Sequence, residues 1–140
     1  MRTIKARRVC RKEVIELLKS IGMVEGIGLN DSEIEGTREI LFWHGVVRNP
    51  KARNKTTYLS YYFPSFERKY SADNDDFIRE VMVAIDVFSK KSFDSADNID
   101  LLENIENTFK DNGFEVEFAD EIYENETSLF HYPLTLYKLY

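Results

Sequence analysis

The sequence predicts a single α+β domain: a mixed, mainly antiparallel β-sheet with two α-helices packed on one face and a protruding β-hairpin. Three observations carry this expectation. Residues 77–88 place Val81, Val83, Ile85 and Val87 on one face and Glu80, Met82, Ala84, Asp86 and Phe88 on the other. That period of two, β-branched on one side and mixed on the other, is the pattern of a long half-buried strand. Residues 4–21 and 98–112 each carry an apolar stripe at helical spacing. The third observation is length, since 140 residues make one domain with a sizeable core.

Composition narrows the class. Hydrophobic residues at 43% and aromatics at 14% describe a packed chain rather than a disordered one. No apolar run approaches the roughly 18 residues of a membrane span, and no apolar segment follows the charged N-terminus, so no secretion signal is expected. Cys10 stands alone and cannot form an internal disulfide, which suits a reducing compartment and any protein without need of bridges. The net charge of −6 conceals an asymmetry. Residues 1–70 hold 14 Lys and Arg against 8 Asp and Glu, and residues 71–140 hold 5 against 17. Such halves either mix on the folded surface, pair head to tail between copies, or present a basic surface to a polyanion.

In chain order, the first helix covers residues 4–21. Val14, Leu17, Leu18 and Ile21 form its stripe, Cys10 extends it, and Gly22 stops it. Arg7, Arg8, Arg11 and Lys12 crowd its opening turns, where cations oppose the helix dipole. They form either a solvated basic face or a contact surface for an acidic neighbour or nucleic acid. Residues 22–37, with four glycines, read as a loop. Gly26-Ile27-Gly28 lacks the preceding strand and following Lys-Ser/Thr of a phosphate cradle. Residues 38–47 and 56–63 then read as two strands of a hairpin. Its long tip holds Arg48, Lys51, Arg53 and Lys55 and no acid, with Asn49 and Pro50 supplying turn geometry. The tip is a solvated loop, or a finger that reaches a phosphate backbone or the acidic surface of another subunit. Tyr58 and Tyr62 lie on the expected exposed side of the hairpin, where tyrosine suits interfaces and base stacking as well as packing within the sheet.

Residues 66–76 form a polar connector. Asp73, Asp75 and Asp76 miss the calcium-loop spacing, because Ile78 and Ala84 stand where Gly and Glu are needed. The second helix, residues 98–112, buries Leu101, Leu102, Ile105 and Phe109. Ser95 or Asp97 caps it, and Gly113 closes it. Residues 114–118 make a strand, so strand, helix and strand form a crossover between parallel strands. Residues 129–139 return as a last strand. Pro133 places that strand at an edge or a bulge.

Catalytic and metal chemistry finds little support in the residue pattern. His44 and His131 sit in no zinc-spaced motif, and Cys10 lies on a helix stripe as a small core residue. No nucleophile elbow or phosphate loop is present in the sequence. No enzyme, cofactor or metal is expected. An enzyme would need a pocket that joins His44 or His131 to a carboxylate.

One resemblance gives the chain a direction. Tyr61-Tyr62-Phe63-Pro64, then Tyr70-Ser71-Ala72-Asp73-Asn74, then the strand ending Ile85-Asp86-Val87-Phe88-Ser89-Lys90-Lys91 resemble the tail-terminator and tail-completion proteins of long-tailed bacteriophages. Leu101-Leu102-Glu103-Asn104-Ile105, Asn112-Gly113-Phe114 and the run from Tyr123-Glu124-Asn125 to Phe130-His131-Tyr132 continue the likeness, which spans residues 58–137. The basic hairpin and the N-terminal segment lie outside it. The resemblance implies a small α+β subunit that forms a ring, usually a hexamer, on the head-proximal end of the tail tube. That ring stops tube growth and makes the head–tail joining surface. Implied partners are further copies of itself, the tail tube protein, a head-completion or connector protein and non-specific DNA in the lumen, with no membrane. The implied location is the tail–neck junction of the virion, and the host cytoplasm during assembly. A rival reading is a small nucleic-acid-binding or regulatory module that uses Arg7, Arg8, Arg11 and the hairpin.

Overall fold

The computed structural model describes residues 3–64, 68–71 and 77–140. Helix α1 (Thr3–Ser20) is followed by β1 (Val24–Glu25), α2 (Asp31–Gly36), β2 (Leu41–His44), α3 (Pro50–Arg53) and β3 (Thr57–Tyr62). Then come β4 (Arg68–Ser71), β5 (Phe77–Ser89), α4 (Ala96–Asp111), β6 (Glu115–Phe118), β7 (Ile122–Glu124) and β8 (Leu129–Leu139). The strands form one open, mixed sheet in the order β1-β2-β3-β5-β8-β6, with β4 beside β5 and β7 beside β8. Pairs β1–β2 and β2–β3 are parallel and the rest antiparallel. The domain is α+β, as the sequence predicts.

The two long helices share one face of the sheet. Ala6, Cys10, Val14 and Leu18, four residues apart, form the buried stripe of α1, and Leu101, Ile105 and Phe109 that of α4. They meet Val81, Val83, Ile85 and Val87 of β5 and Leu134 and Leu136 of β8 in one core. Each buried Val, Leu, Ile or Phe among them contributes about 1.5–3 kcal/mol of apolar burial. Both helices end at a left-handed glycine, Gly22 at φ 93° and Gly113 at φ 86°. The next amide in each case turns back to a carbonyl of the last turn, Met23 N to Leu18 O at 3.2 Å and Phe114 N to Phe109 O at 3.0 Å. Burial pushes the Cys10 thiol up to about 11, so it stays protonated as a small core residue. Ser95 occupies the N-cap of α4 but makes no side-chain capping bond.

Four expectations are corrected. The segment 22–37 is not only loop: it contains β1 and α2. Asn30 and Glu33 exchange hydrogen bonds in a capping box that starts α2. Second, β2 and β3 do not form a hairpin. They are parallel, and the chain crosses between them through α3. Asn49 caps α3 by accepting from Lys51 N at 2.8 Å, Pro50 opens it, and Ala52 is buried against Ile34 and Leu41. The Asn-Pro pair that reads as a turn is equally a helix start.

Third, β8 is not an edge strand. It pairs with β5 along its length and with β6 and β7 on its other side. Pro133 fits because its carbonyl, and hence its missing N–H, faces the break between β6 and β7, where Ala119 N donates to Pro133 O at 3.1 Å. β8 also lies between β5 and β6, so the two strands joined across α4 run parallel without touching. Fourth, the connector 66–76 contains β4, which pairs with the first residues of β5. Over residues 77–79, β5 has only β4 beside it among the described residues. Asp73, Asp75 and Asp76 lie outside the described residues.

Candidate binding cleft on the open sheet face

The period of two that sends the valines of β5 toward the helices turns Ala84, Asp86 and Phe88 the other way. Their cross-strand partners on that face are Tyr62, Ser60 and Tyr58 of β3 and Thr135, Pro133 and His131 of β8. Helices α2 and α3 cover part of this face through Ile34, Leu41 and Ala52. Beyond them lies a cleft of about 570 Å³, between segment 45–53 and the turn from β7 into β8. Arg48 and Arg53 stand at one wall, Glu124 and Leu129 at the other, with Tyr58 and Phe88 between them.

A row of rings crosses the sheet under the cleft. Trp43 meets Tyr58 edge-on at 6.4 Å, Tyr58 stacks on Phe88 at 5.1 Å, and Phe88 stacks on His131 at 4.5 Å. Cross-strand aromatic pairs stabilise a sheet at this spacing. Tyr58 is therefore only 4% exposed, which corrects the expectation that it lies on an exposed face. Burial raises its hydroxyl pKa, against the effect of the nearby Arg53.

His131 is gripped from two strands. Its Nε2 lies 2.6 Å from Asp86 Oδ1 on β5, and its Nδ1 lies 3.2 Å from Glu124 Oε1 on β7. A neutral imidazole has one N–H and can serve only one carboxylate, so this geometry calls for the imidazolium. The hydrogen bond to Asp86 raises the His131 pKa, burial opposes it, and the charges of Asp86 and Glu124 add to the rise. A raised folded-state pKa gives stability that is fully present below the ordinary value of 6.5 and lost as pH rises through the folded value. We expect the thermal midpoint of the wild type, measured against His131→Gln, to lose its advantage as pH rises above 6.5 and through the raised value. A pH-independent difference between the two proteins would remove the imidazolium.

Asp86 and Glu124 of the cleft lining thus hold His131, which joins a histidine to carboxylates, although the histidine is not itself part of that lining. Both ring nitrogens are occupied, which leaves His131 no lone pair to take a proton from a substrate. The three side chains do not converge on a point either. Among the described residues no group of three or more His, Cys, Asp or Glu is placed to hold a metal ion.

The cations named from the sequence fall into three groups. Arg8 and Arg11 are exposed on α1, on the helix side of the sheet, and Arg7 donates to Pro64 O at 3.2 Å. Lys51 pairs with Glu35, and Lys55 donates to the carbonyls of Glu35 and Thr37, so α2 and the residue after it hold two of the four cations expected to be unpaired. Arg48 and Arg53 remain at the cleft with Tyr58 and with Tyr62, which is 43% exposed. Sequence reasoning does not find Asp86, Phe88, Glu124 and His131 as a group. The signal for them is the mixed face of residues 77–88, where an aspartate sits mid-strand opposite β-branched residues.

Comparison with known proteins leaves the family open: no family model matches the chain and no curated protein matches it. No described helix is long and apolar enough to cross a membrane. What the fold and the cleft define is an α+β domain with an open mixed sheet, helix-covered on one face and partly bare, aromatic and charged on the other.

Proposed function

We propose that this chain is a structural assembly protein that caps the head-proximal end of a phage tail tube as a ring, usually of six copies, and forms the head–tail joining surface. The observation that carries the head-to-tail reading is the placement of charge. Helix α1 holds six Lys and Arg against two Glu, and α4 holds five Asp and Glu against one Lys, side by side on one sheet face. Helix α1 packs toward β1 and β5, and α4 toward β6. Residues 112–126, around β6 and β7, add six acids and no base. The asymmetry of the sequence therefore becomes an asymmetry between the two sides of the domain. Two unlike, complementary sides on one subunit close a ring when the rotation between copies allows it.

One further point supports the reading: the α+β fold with two long helices on one face is the architecture that the resemblance implies. In this reading the tail tube protein and a head-completion or connector protein bind the two rims of the ring, and DNA passes through it.

Charge reversal tests the lateral contact. Arg8→Glu/Arg11→Glu and Asp100→Lys/Glu103→Lys alter exposed positions, so both variants should keep the wild-type circular dichroism. Each alone is expected to abolish ring formation, measured by light scattering and electron microscopy, with purified tail tubes added where the free protein is a monomer. An equimolar mixture should recover assembly, because an all-acidic copy can alternate with an all-basic one. Wild-type rings or capped tubes from either single variant would sink this contact. DNA binding that falls steeply with salt, without rings or capped tubes, would instead favour the nucleic-acid module.

A further inference from the structure

The acidic side of the domain carries an uncovered apolar surface. Phe118 is 37% exposed, and Ile122 and Tyr123 are each 50% exposed, all within the β6–β7 edge. Phe118 pairs with Leu134 and Tyr123 with Phe130, so both rings lie on the helix-bearing side of the sheet yet remain open to solvent. Glu117, Asp120 and Glu121 flank them in sequence; Glu117 accepts from the Tyr137 hydroxyl at 3.5 Å and Glu121 from Phe93 N at 2.6 Å. Exposed aromatic residues flanked by acids on a sheet edge mark an interaction surface.

The cleft on the open face has the opposite character. Its wall holds two exposed arginines, Arg48 and Arg53, and Phe88 and Leu129 give it an apolar lining. Lys51 and Lys55 are taken by α2 and Thr37, but among the described residues Arg48 makes no ion pair. The carboxylates of Asp86 and Glu124 are turned to His131, so they do not answer the arginines in full. An arginine-walled apolar cleft and an acid-flanked aromatic edge are complementary in both charge and hydrophobicity, and one chain carries both.

We infer that the cleft receives the β6–β7 edge of a second copy, with Phe118 and Tyr123 entering the apolar part and the flanking acids meeting Arg48 and Arg53. The contact is heterologous: each copy offers its edge to one neighbour and its cleft to the other. This deepens the ring reading and rests on it for its biological sense, but not for its test. The aromatic anchors supply the desolvated centre, and the arginines supply orientation and rate of encounter.

The test uses the full-length protein and a synthetic peptide of residues 115–124. Calorimetric titration should show binding that Arg48→Glu weakens at least tenfold. Ser in place of Phe118 and Tyr123 in the peptide should weaken it similarly, and a peptide of the same composition in scrambled order should not bind. Arg48→Ala serves where Arg48→Glu fails to keep the wild-type near-ultraviolet circular dichroism. In the intact protein, Arg48→Glu and Phe118→Ser/Tyr123→Ser should each stop self-association, while their mixture gives dimers and nothing larger. The cleft variant then still offers an edge, and the edge variant still offers a cleft.

Absence of peptide binding, equal binding of the scrambled peptide, or indifference to both Arg48 variants overturns the docking site. Rings that form normally alongside any of these results keep the assembly reading and remove only this contact. Peptide binding that depends on Arg48, in a protein that neither forms rings nor caps tubes, keeps the contact and removes the assembly reading.

Discussion

Gly26→Ala is expected to destabilise the protein by about 2–3 kcal/mol, lowering the thermal midpoint by roughly 10 °C. The backbone conformation is not the cause, since Gly26 is not among the positive-φ glycines. A Cβ placed there would lie 2.0 Å from Cε2 and 2.1 Å from Cζ2 of Trp43. Non-bonded carbons do not approach one another so closely, so the indole or the backbone after β1 must move. That backbone is held, because Gly26 N donates to Phe42 O at 2.9 Å. Trp43 packs against the cluster of Ile34, Leu41 and Ala52 and stands edge-on to Tyr58. The strain therefore reaches the rings beneath the cleft. Trp43 is the single tryptophan, so its fluorescence reports the displacement directly. In a Trp43→Leu background the alanine should cost far less, a coupling that a double-mutant cycle measures. Unchanged midpoint and emission in Gly26→Ala would contradict this packing.

Asn98→Leu is the second large effect, expected at about 3 kcal/mol. Asn98 is buried in the first turn of α4, and its Nδ2 lies 3.1 Å from each of Ser89 Oγ, Lys91 O and Ser92 O. Two amide hydrogens thus serve three acceptors, one of them shared. Ser89 is fully buried at the end of β5, where its hydroxyl also meets Thr57 Oγ1 at 2.9 Å and accepts from Lys91 N at 3.1 Å. The leucine matches the asparagine in size but removes the donor, leaving acceptors in the β5–α4 connection unpaired. Denaturant unfolding measures the loss, and hydrogen exchange at Lys91 should rise. A change under about 0.5 kcal/mol would show that water replaces the amide without cost.

Much of the frame is legible in the order of residues alone. The valines of β5, the stripes of α1 and α4 and the glycines that end both helices are local signals, set by side-chain spacing and backbone chirality. The capping box of α2 is equally local, but the glycines around it give the segment the look of a loop. The orientation of β3 against β2 is a different matter. Asn49-Pro50 suits a turn and a helix start alike, and what selects the helix is burial of Ala52 against Ile34 and Leu41 from elsewhere in the chain.

The cleft is harder still to read. Asp86, Glu124 and His131 lie on three strands, and nothing in their spacing brings them together. Register does: Ile122 pairs with His131, and Phe88 pairs with His131 from the other side. The sequence by itself determined the α+β class, the two faces of the central strand, the long helices and the separation of charge along the chain, since each is a matter of composition or period. Only the tertiary structure decided the place of β8 between β5 and β6, which cations the α2 region would hold, and the meeting of the arginines with an aromatic cleft. Strand order and long-range pairing arise from the burial of distant segments against one another, and no local pattern encodes them.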